Sequence, residues 1–179
     1  SLFVDSRNAL WVGTFGGGLN KLTLDGQGKT PDKKFVRYKN DPKNPLSIGS
    51  DVIFSINEDK NGNIWVGTNS GLNKLVTNER GEAVFVRLYE RDGLPDNYVY
   101  GIIPDDEGNL WLSTVQGLSR FTPAGEKGTF KNYDVKDGLQ NNEFKFGSYH
   151  KGLSGTFYFG GTHGFNSFKP VEVKDNQHA

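Results

Sequence analysis

Histidine is the side chain best suited to proton transfer and metal binding at neutral pH, and the chain has three, His150, His163 and His178. They lie far apart in the sequence, and no His-Glu-x-x-His or similar spacing is present. The chain has no cysteine, which excludes a thiolate metal site, a disulfide framework and a cysteine nucleophile. The sequence therefore predicts neither a metal site nor a cofactor.

Carboxylates are the other candidates for acid–base chemistry, which needs two of them, or one and a histidine, in fixed positions. The aspartates fall at equivalent places of a repeated pattern, as Asp59 does with Asp105 and Asp92 does with Asp137. A residue that recurs in each repeat is expected to have the same structural role in each. No Gly-x-Ser-x-Gly motif of a nucleophilic serine occurs. We predict that this chain is not an enzyme and has no catalytic residues.

Two segments have the composition of ligand-binding loops. Residues 13–18 (GTFGGG) could be taken for a phosphate-binding loop, but such a loop needs a following helix and here a strand is predicted to follow. Residues 59–63 (DKNGN) place oxygen atoms at alternate positions, as calcium loops do, yet the sixth position lacks Gly and the twelfth lacks Glu. Both segments are interpreted as turns between strands.

Charge and composition argue against nucleic-acid binding and membrane insertion, and they favour a structure of short strands. The chain has 21 basic and 21 acidic residues and no basic stripe, so we expect no nucleic-acid partner. No apolar run approaches the ~20 residues of a membrane span, so we expect no membrane insertion by this chain. The 24 glycines and the 13% of aromatic residues are typical of many short strands joined by tight turns.

A strand–turn–strand pattern recurs four times along the chain. Each copy is built around one aromatic residue, and these residues are 54, 46 and 47 positions apart: Trp11, Trp65, Trp111 and Tyr158. A period in the forties with strand-like content indicates a four-stranded propeller blade. The tryptophans lie inside apolar strands, which favours packing between blades over a platform for sugars.

The predicted fold class is all-β, with about four four-stranded antiparallel β-propeller blades that form a fragment of a larger propeller. The approximate blades are 1–46, 47–93, 94–138 and 139–170, followed by a tail at 171–179. Aligned on the second repeat, the chain starts inside an inner strand. The fourth blade has little room for an outer strand, because residues 171–174 are few and largely polar. Almost no helix is expected.

These motifs resemble the two-component-regulator propeller repeat. The resemblance is carried by residues 58–75 (EDKNGNIWVGTNSGLNKL), by 105–118 (DDEGNLWLSTVQGL) and by the linker 92–97 (DGLPDN). Residues 157–170 (FYFGGTHGFNSFKP) resemble the terminal repeat of that family. Asn8 stands where the other repeats have Gly62 and Gly108, and it is interpreted as a tolerated turn variant.

The resemblance implies a periplasmic sensor propeller of a hybrid histidine kinase or of a related diguanylate cyclase. It implies extracytoplasmic sensing, often of carbohydrate, with kinase or cyclase activity in other domains. The implied partners are a small-molecule or oligosaccharide ligand and the remaining blades and output domains of the receptor. Independently of the resemblance, the incomplete blades are expected to leave open strand edges, and a homodimer through these edges is a further predicted partner.

Positions that vary between repeats indicate the binding surface, since repeat proteins place variation on the binding face. Two residues vary in each turn between the second and third strands, and these turns are expected to share a face with the linkers before the inner strands. Amide and aromatic side chains there suit sugars. The predicted ligand-binding residues are Phe15, Asn69, Gln116, His163, Asn97 and Asn142. Permissive turns exposed to solvent are the alternative interpretation.

Two further hypotheses remain open at the level of sequence. A lyase or hydrolase of the streptogramin-lyase type would need a histidine and a glutamate that converge on one face, and only His163 is placed for it. A pure protein-interaction scaffold would need neither a pocket nor a ligand.

Overall fold

The computed structural model describes residues 1–24, 35–125 and 127–173. Its strands form four antiparallel sheets arranged as a four-blade β-propeller, so the predicted all-β propeller fold is confirmed. Each blade runs in chain order from its inner to its outer strand. The first contains β1 (Leu2–Val4), β2 (Ala9–Gly13), β3 (Leu19–Thr23) and β4 (Val36–Tyr38); the second contains β5 (Ile53–Glu58), β6 (Ile64–Thr68), β7 (Leu72–Thr77) and β8 (Ala83–Leu88).

The third blade contains β9 (Val99–Pro104), β10 (Leu110–Thr114), β11 (Gly117–Thr122) and β12 (Thr129–Tyr133), and the fourth contains β13 (Phe144–Lys151), β14 (Phe157–Gly161) and β15 (Gly164–Phe168). Helix in the described residues amounts to single 3₁₀ turns at Glu90–Asp92, Val135–Asp137 and Pro170–Glu172. None of these turns is long or apolar enough to cross a membrane. Residues 139–173 contain three strands, as the sequence predicted, whereas Lys174 and the tail with His178 lie outside the described residues.

A buried aspartate shapes the turn between the first two strands of a blade. Asp59 Oδ1 accepts hydrogen bonds from the backbone amides of Asn61 and Asn63, and its Oδ2 accepts one from the Trp65 indole at 2.8 Å. The same carboxylate-to-indole bond joins Asp5 to Trp11 and Asp105 to Trp111. The turn interpretation of residues 59–63 is therefore confirmed, because the carboxylate is occupied by its own turn.

The backbone of Asn8 adopts the conformation of the glycine that it replaces, which confirms that Asn8 is a tolerated turn variant. Its φ is 59°, in the left-handed region, and the corresponding Gly62 and Gly108 have φ values of 77° and 98°. Asparagine enters this region more easily than most residues with a side chain.

Buried side chains hold each blade against its neighbour. Three apolar cores lie between successive blades, and each contains one of the tryptophans. Trp11 packs with Ile53 and Val66 of the second blade, and Trp65 packs with Leu112 of the third. The prediction that the tryptophans serve packing between blades is confirmed. The fourth aromatic residue, Tyr158, remains 39% exposed.

Candidate ligand-binding site

Five aromatic rings from all four blades converge on one place, and we call them the aromatic cluster: Phe15, Phe54, Tyr98, Tyr100 and Phe146. Phe54 is at its centre and is only 6% exposed. The distances from its ring centroid are 6.3 Å to Phe15, 6.2 Å to Tyr98, 5.0 Å to Tyr100 and 5.4 Å to Phe146. The cluster therefore brings together residues 15, 54, 98–100 and 146, which are distant in the sequence.

Three rings of the cluster are open to solvent. Phe15 is 81% exposed, Phe146 is 52% exposed and Tyr98 is 43% exposed. Exposed apolar groups that are contiguous, rather than scattered singly, mark interaction sites on soluble proteins. The three rings stand around the buried Phe54, so part of the surface of each ring is available to a bound molecule.

Three rings of the cluster lie at irregularities of the inner strands β5, β9 and β13. The register between β5 and β6 shifts between Ile53 and Ser55, where Phe54 lies. On β9 the register skips Tyr100, and on β13 the irregular stretch between Phe144 and Tyr149 contains Phe146. A β-bulge redirects a side chain out of the regular alternation of a strand. The same device thus occurs in three successive blades.

The turn that carries Phe15 is fixed to the second blade. Phe15 forms an isolated antiparallel bridge with Val52, and the Gly16 amide donates to the Asp51 carbonyl oxygen at 2.9 Å. In the next blades Gly71 donates to the Asn97 carbonyl and Gly117 to the Asn142 carbonyl. These bonds confirm that each turn between the second and third strands shares a face with the linker to the next blade.

Charged groups lie beside the cluster near the Tyr100 hydroxyl. Burial raises the pKa of Tyr100, the ammonium of Lys145 lowers it, and the carboxylates of Asp96 and Glu143 raise it further. Lys145 also forms an ion pair with Glu143. The site therefore combines apolar ring surfaces with two phenol groups and a charged rim.

The structure places the six predicted site residues in different surroundings. Phe15 lies in the aromatic cluster. Asn97 holds its own linker, since its Oδ1 accepts from the Glu90 amide and its Nδ2 donates to the Glu90 carboxylate. Asn142 makes the equivalent bond to the Val135 amide. Both asparagines thus have a repeated structural role in addition to any contact with a ligand.

The remaining three predicted residues, Asn69, Gln116 and His163, lie in turns. Gln116 lines a shallow cavity of about 240 Å³ on the third blade, together with Asn142 described above. His163 Nδ1 lies 2.7 Å from the Asn141 amide, and the His163 backbone amide donates to Gln140. Asn69 is half-buried in the corresponding turn of the second blade. None of these contacts joins the three residues to the aromatic cluster in the described part of the chain.

Four residues of the cluster were not predicted from the sequence, namely Phe54, Tyr98, Tyr100 and Phe146. A signal was present for two of them, because Phe54 and Tyr100 are aromatic at the same position of successive repeats, directly before Ser55 and Gly101. In a regular strand, successive side chains point to opposite faces of the sheet, so these two rings would be expected to pack within it. The register shifts that redirect them are not visible in the sequence. No group of three or more histidine and acidic side chains suited to a metal ion occurs in the described ranges.

Comparison with known proteins gives one family model that matches the chain twice. The model is the two-component regulator propeller, matched at residues 47–70 and 93–116. No curated protein matches the chain at a significant level.

The extracellular domain of a hybrid two-component system from B. thetaiotaomicron is similar in structure, with 30% sequence identity and a TM-score of 0.76. The match covers 94% of this chain and 21% of that one. The extracellular domain of a one-component system from B. thetaiotaomicron has 21% identity and a TM-score of 0.71, over 97% of this chain and 24% of that one. The chain thus spans less than a quarter of these two structures.

An enzyme shares the fold as well. A catalytically inactive virginiamycin B lyase from Staphylococcus aureus, solved with quinupristin, has 16% identity and a TM-score of 0.61, over 96% of this chain and 55% of that one. At this identity the likeness concerns the fold alone. The two family matches fall on the second and third repeats identified in the sequence, and the chain consists of propeller blades, two of which match the two-component regulator propeller repeat.

Proposed function

We propose that the chain is a ligand-sensing segment of the extracytoplasmic propeller of a two-component receptor, and that its aromatic cluster binds the ligand. The convergence of exposed rings on Phe54 is the observation that carries this proposal. The likeness to the extracellular domain of a hybrid two-component system supports the periplasmic location that we propose.

A carbohydrate is the ligand class that we propose. Aromatic rings stack on the apolar faces of sugars, and phenol, amide and carboxylate groups form hydrogen bonds with hydroxyls in both directions. Phe15, Tyr98 and Phe146 offer such faces, and the Tyr98 and Tyr100 hydroxyls together with the rim near Lys145 offer polar partners.

A screen of oligosaccharides tests the proposal. We expect at least one oligosaccharide to raise the unfolding temperature of the chain and to bind in calorimetry. The Phe15→Ala and Phe146→Ala variants should weaken that binding by about tenfold or more, because each removes a stacking surface. Phe165→Ala is the matched control, since Phe165 is also exposed but lies outside the cluster. Binding that is unaffected by both cluster variants would contradict the site.

The surroundings of His163, the histidine best placed for catalysis, support our proposal that this chain has no catalytic role. The described partners of the His163 side chain are the Asn141 amide and the Thr162 hydroxyl, whereas a lyase of the streptogramin-lyase type would need a carboxylate there. Incubation with a streptogramin substrate tests this alternative, and turnover that is lost in His163→Ala would establish it. The absence of any ligand in the screen would favour a protein-interaction scaffold.

The proposed protein partners are the remaining blades and the output domains of the receptor. The outward face of the fourth blade supports this, because Tyr158 and Phe165 remain exposed where the other blades bury Trp and Leu. A homodimer through the open blade edges is the alternative, and the mass of the chain in solution distinguishes the two.

A further inference from the structure

The charged rim of the aromatic cluster has more carboxylates than ammonium groups. Asp51, whose carbonyl oxygen holds the turn between β2 and β3, forms an ion pair with Lys39 at 3.3 Å. On the fourth blade Glu143 pairs with Lys145. Asp96 has no ion pair among the described residues. The rim therefore keeps one negative charge that no lysine or arginine of the described ranges balances.

The carboxylate of Asp96 lies directly before two rings of the cluster. Its Oδ1 accepts a hydrogen bond from the backbone amide of Tyr98 at 2.7 Å, which fixes the side chain on its own linker. The charge of Asp96 also contributes to the raised pKa of Tyr100, so the carboxylate acts on the polar end of that ring. Asp96 is half-buried, and its linker joins the second and third blades in the middle of the chain.

Aromatic faces attract cations that lie within about 6 Å of the ring centroid. Elsewhere in this chain the protein supplies such cations itself: Lys21 Nζ lies 5.1 Å from the Trp11 ring, and Lys74 Nζ lies 5.4 Å from the Trp65 ring. Within residues 1–24, 35–125 and 127–173, no lysine or arginine lies over a ring of the aromatic cluster. The cluster thus combines ring faces that lack a cation with a carboxylate that lacks one.

We infer that the aromatic cluster binds a ligand that carries a protonated amine, and, since the inference rests on the proposed function, that the ligand is a sugar with a free amino group. The ammonium group lies against the exposed ring of Tyr98 and forms an ion pair with Asp96, while the apolar face of the sugar stacks on Phe146. An acetylated amine would offer no charge to either partner. A uronate or sulfate group would be repelled by Asp96, and the nearby Lys145 is already paired.

Two tetrasaccharides with the same linkage test this inference on the unmodified chain, one built from glucosamine and the other from N-acetylglucosamine. They differ in the charge of the amine, provided that the buffer keeps glucosamine protonated. Calorimetry should show saturable binding of the glucosamine tetramer that is at least about tenfold tighter than binding of the acetylated tetramer.

Substitutions at the two proposed contacts separate the charge from the ring. Asp96→Asn keeps the acceptor for the Tyr98 amide but removes the charge, and it should weaken binding of the glucosamine tetramer by about tenfold. Asp106→Asn is the matched control, since it removes the same charge from an exposed site that pairs with Lys151. Tyr98→Phe should retain most of the binding, whereas Tyr98→Leu, which has no aromatic face, should lose it by several-fold. Circular dichroism shows whether each variant is folded.

Equal or tighter binding of the acetylated tetramer, or no binding of the glucosamine tetramer, would overturn the inference. An equal loss of binding in Asp96→Asn and Asp106→Asn would also overturn it, because the attraction would then come from the overall charge. The proposed function would survive these results if another oligosaccharide binds and the Phe15→Ala and Phe146→Ala variants weaken that binding. Failure of every oligosaccharide in the screen would contradict both.

Discussion

The carboxylate of Asp59 lies 2.8 Å from the Trp65 indole nitrogen and fixes that buried ring within its own blade. The bond spans six residues, from the turn that follows β5 to the second position of β6. Both residues are buried, so hydrogen bonds from the indole and from the amides of the turn replace the hydration of the carboxylate.

Removal of this carboxylate should cost a substantial part of the folding free energy. We expect Asp59→Ala to lower the free energy of unfolding by about 2 kcal/mol, because a buried indole and two turn amides lose a charged acceptor. Denaturation in urea measures the effect. Asp106→Ala is the control, since Asp106 is exposed and its ion pair with Lys151 lies on the surface. A comparable decrease of the free energy of unfolding in both variants would show that the buried bond contributes no more to stability than the surface ion pair.

Acid should destabilise the chain through the same carboxylates. Burial raises the pKa of Asp59, but hydrogen bonds from Trp65, Asn63 and the turn amides outweigh it and hold the pKa below its ordinary value; Asp5 behaves alike. The folded pKa is thus lower than the unfolded one, so the stabilisation is present above about pH 4 and is lost as the pH falls through the folded pKa. Thermal unfolding between pH 2 and pH 6 should show this decline, with a shallower slope in Asp59→Asn.

The centre of the aromatic cluster and its margin should respond differently to truncation. Phe54→Ala should lower the free energy of unfolding by about 3 kcal/mol, because it removes a buried ring that touches four others. Phe15→Ala should change it by no more than about 0.5 kcal/mol, since that ring is mostly exposed. Urea denaturation of the two variants makes the comparison, and a large loss in Phe15→Ala would mean that the ring serves packing instead of binding.

Two equivalent glycines should differ in their tolerance of alanine. Gly93 and Gly138 have φ values of 118° and 96°, so alanine is strained at both. At Gly93 the new methyl group would also press on Phe130, whereas at Gly138 it would meet no described atom. Gly93→Ala should therefore be more destabilising than Gly138→Ala by about 1 kcal/mol or more. Equal losses would indicate that another group covers Gly138.

Sequence patterns predicted the strands, turns and packing tryptophans because each depends on local chemistry that recurs from blade to blade. The Asp59 turn and the Trp65 strand illustrate this, since their residue types alone determine which groups bond. The aromatic cluster was not predictable in the same way. Phe54 reaches Phe146 only because two bulges redirect the rings and because the blades curve around a common centre. Phe15 was selected for its variable position, whereas the aromatic position that Phe54 and Tyr100 share in successive repeats does not by itself reveal the bulges that bring the rings together.

Phe54 contacts at least one ring from each of the three other blades, whereas each apolar core joins only two adjacent blades. A molecule that displaces any of the exposed rings must therefore repack the ring that all four blades share. If the cluster binds a ligand as we propose, the effect of binding is therefore expected to spread over all four blades instead of staying within a single loop.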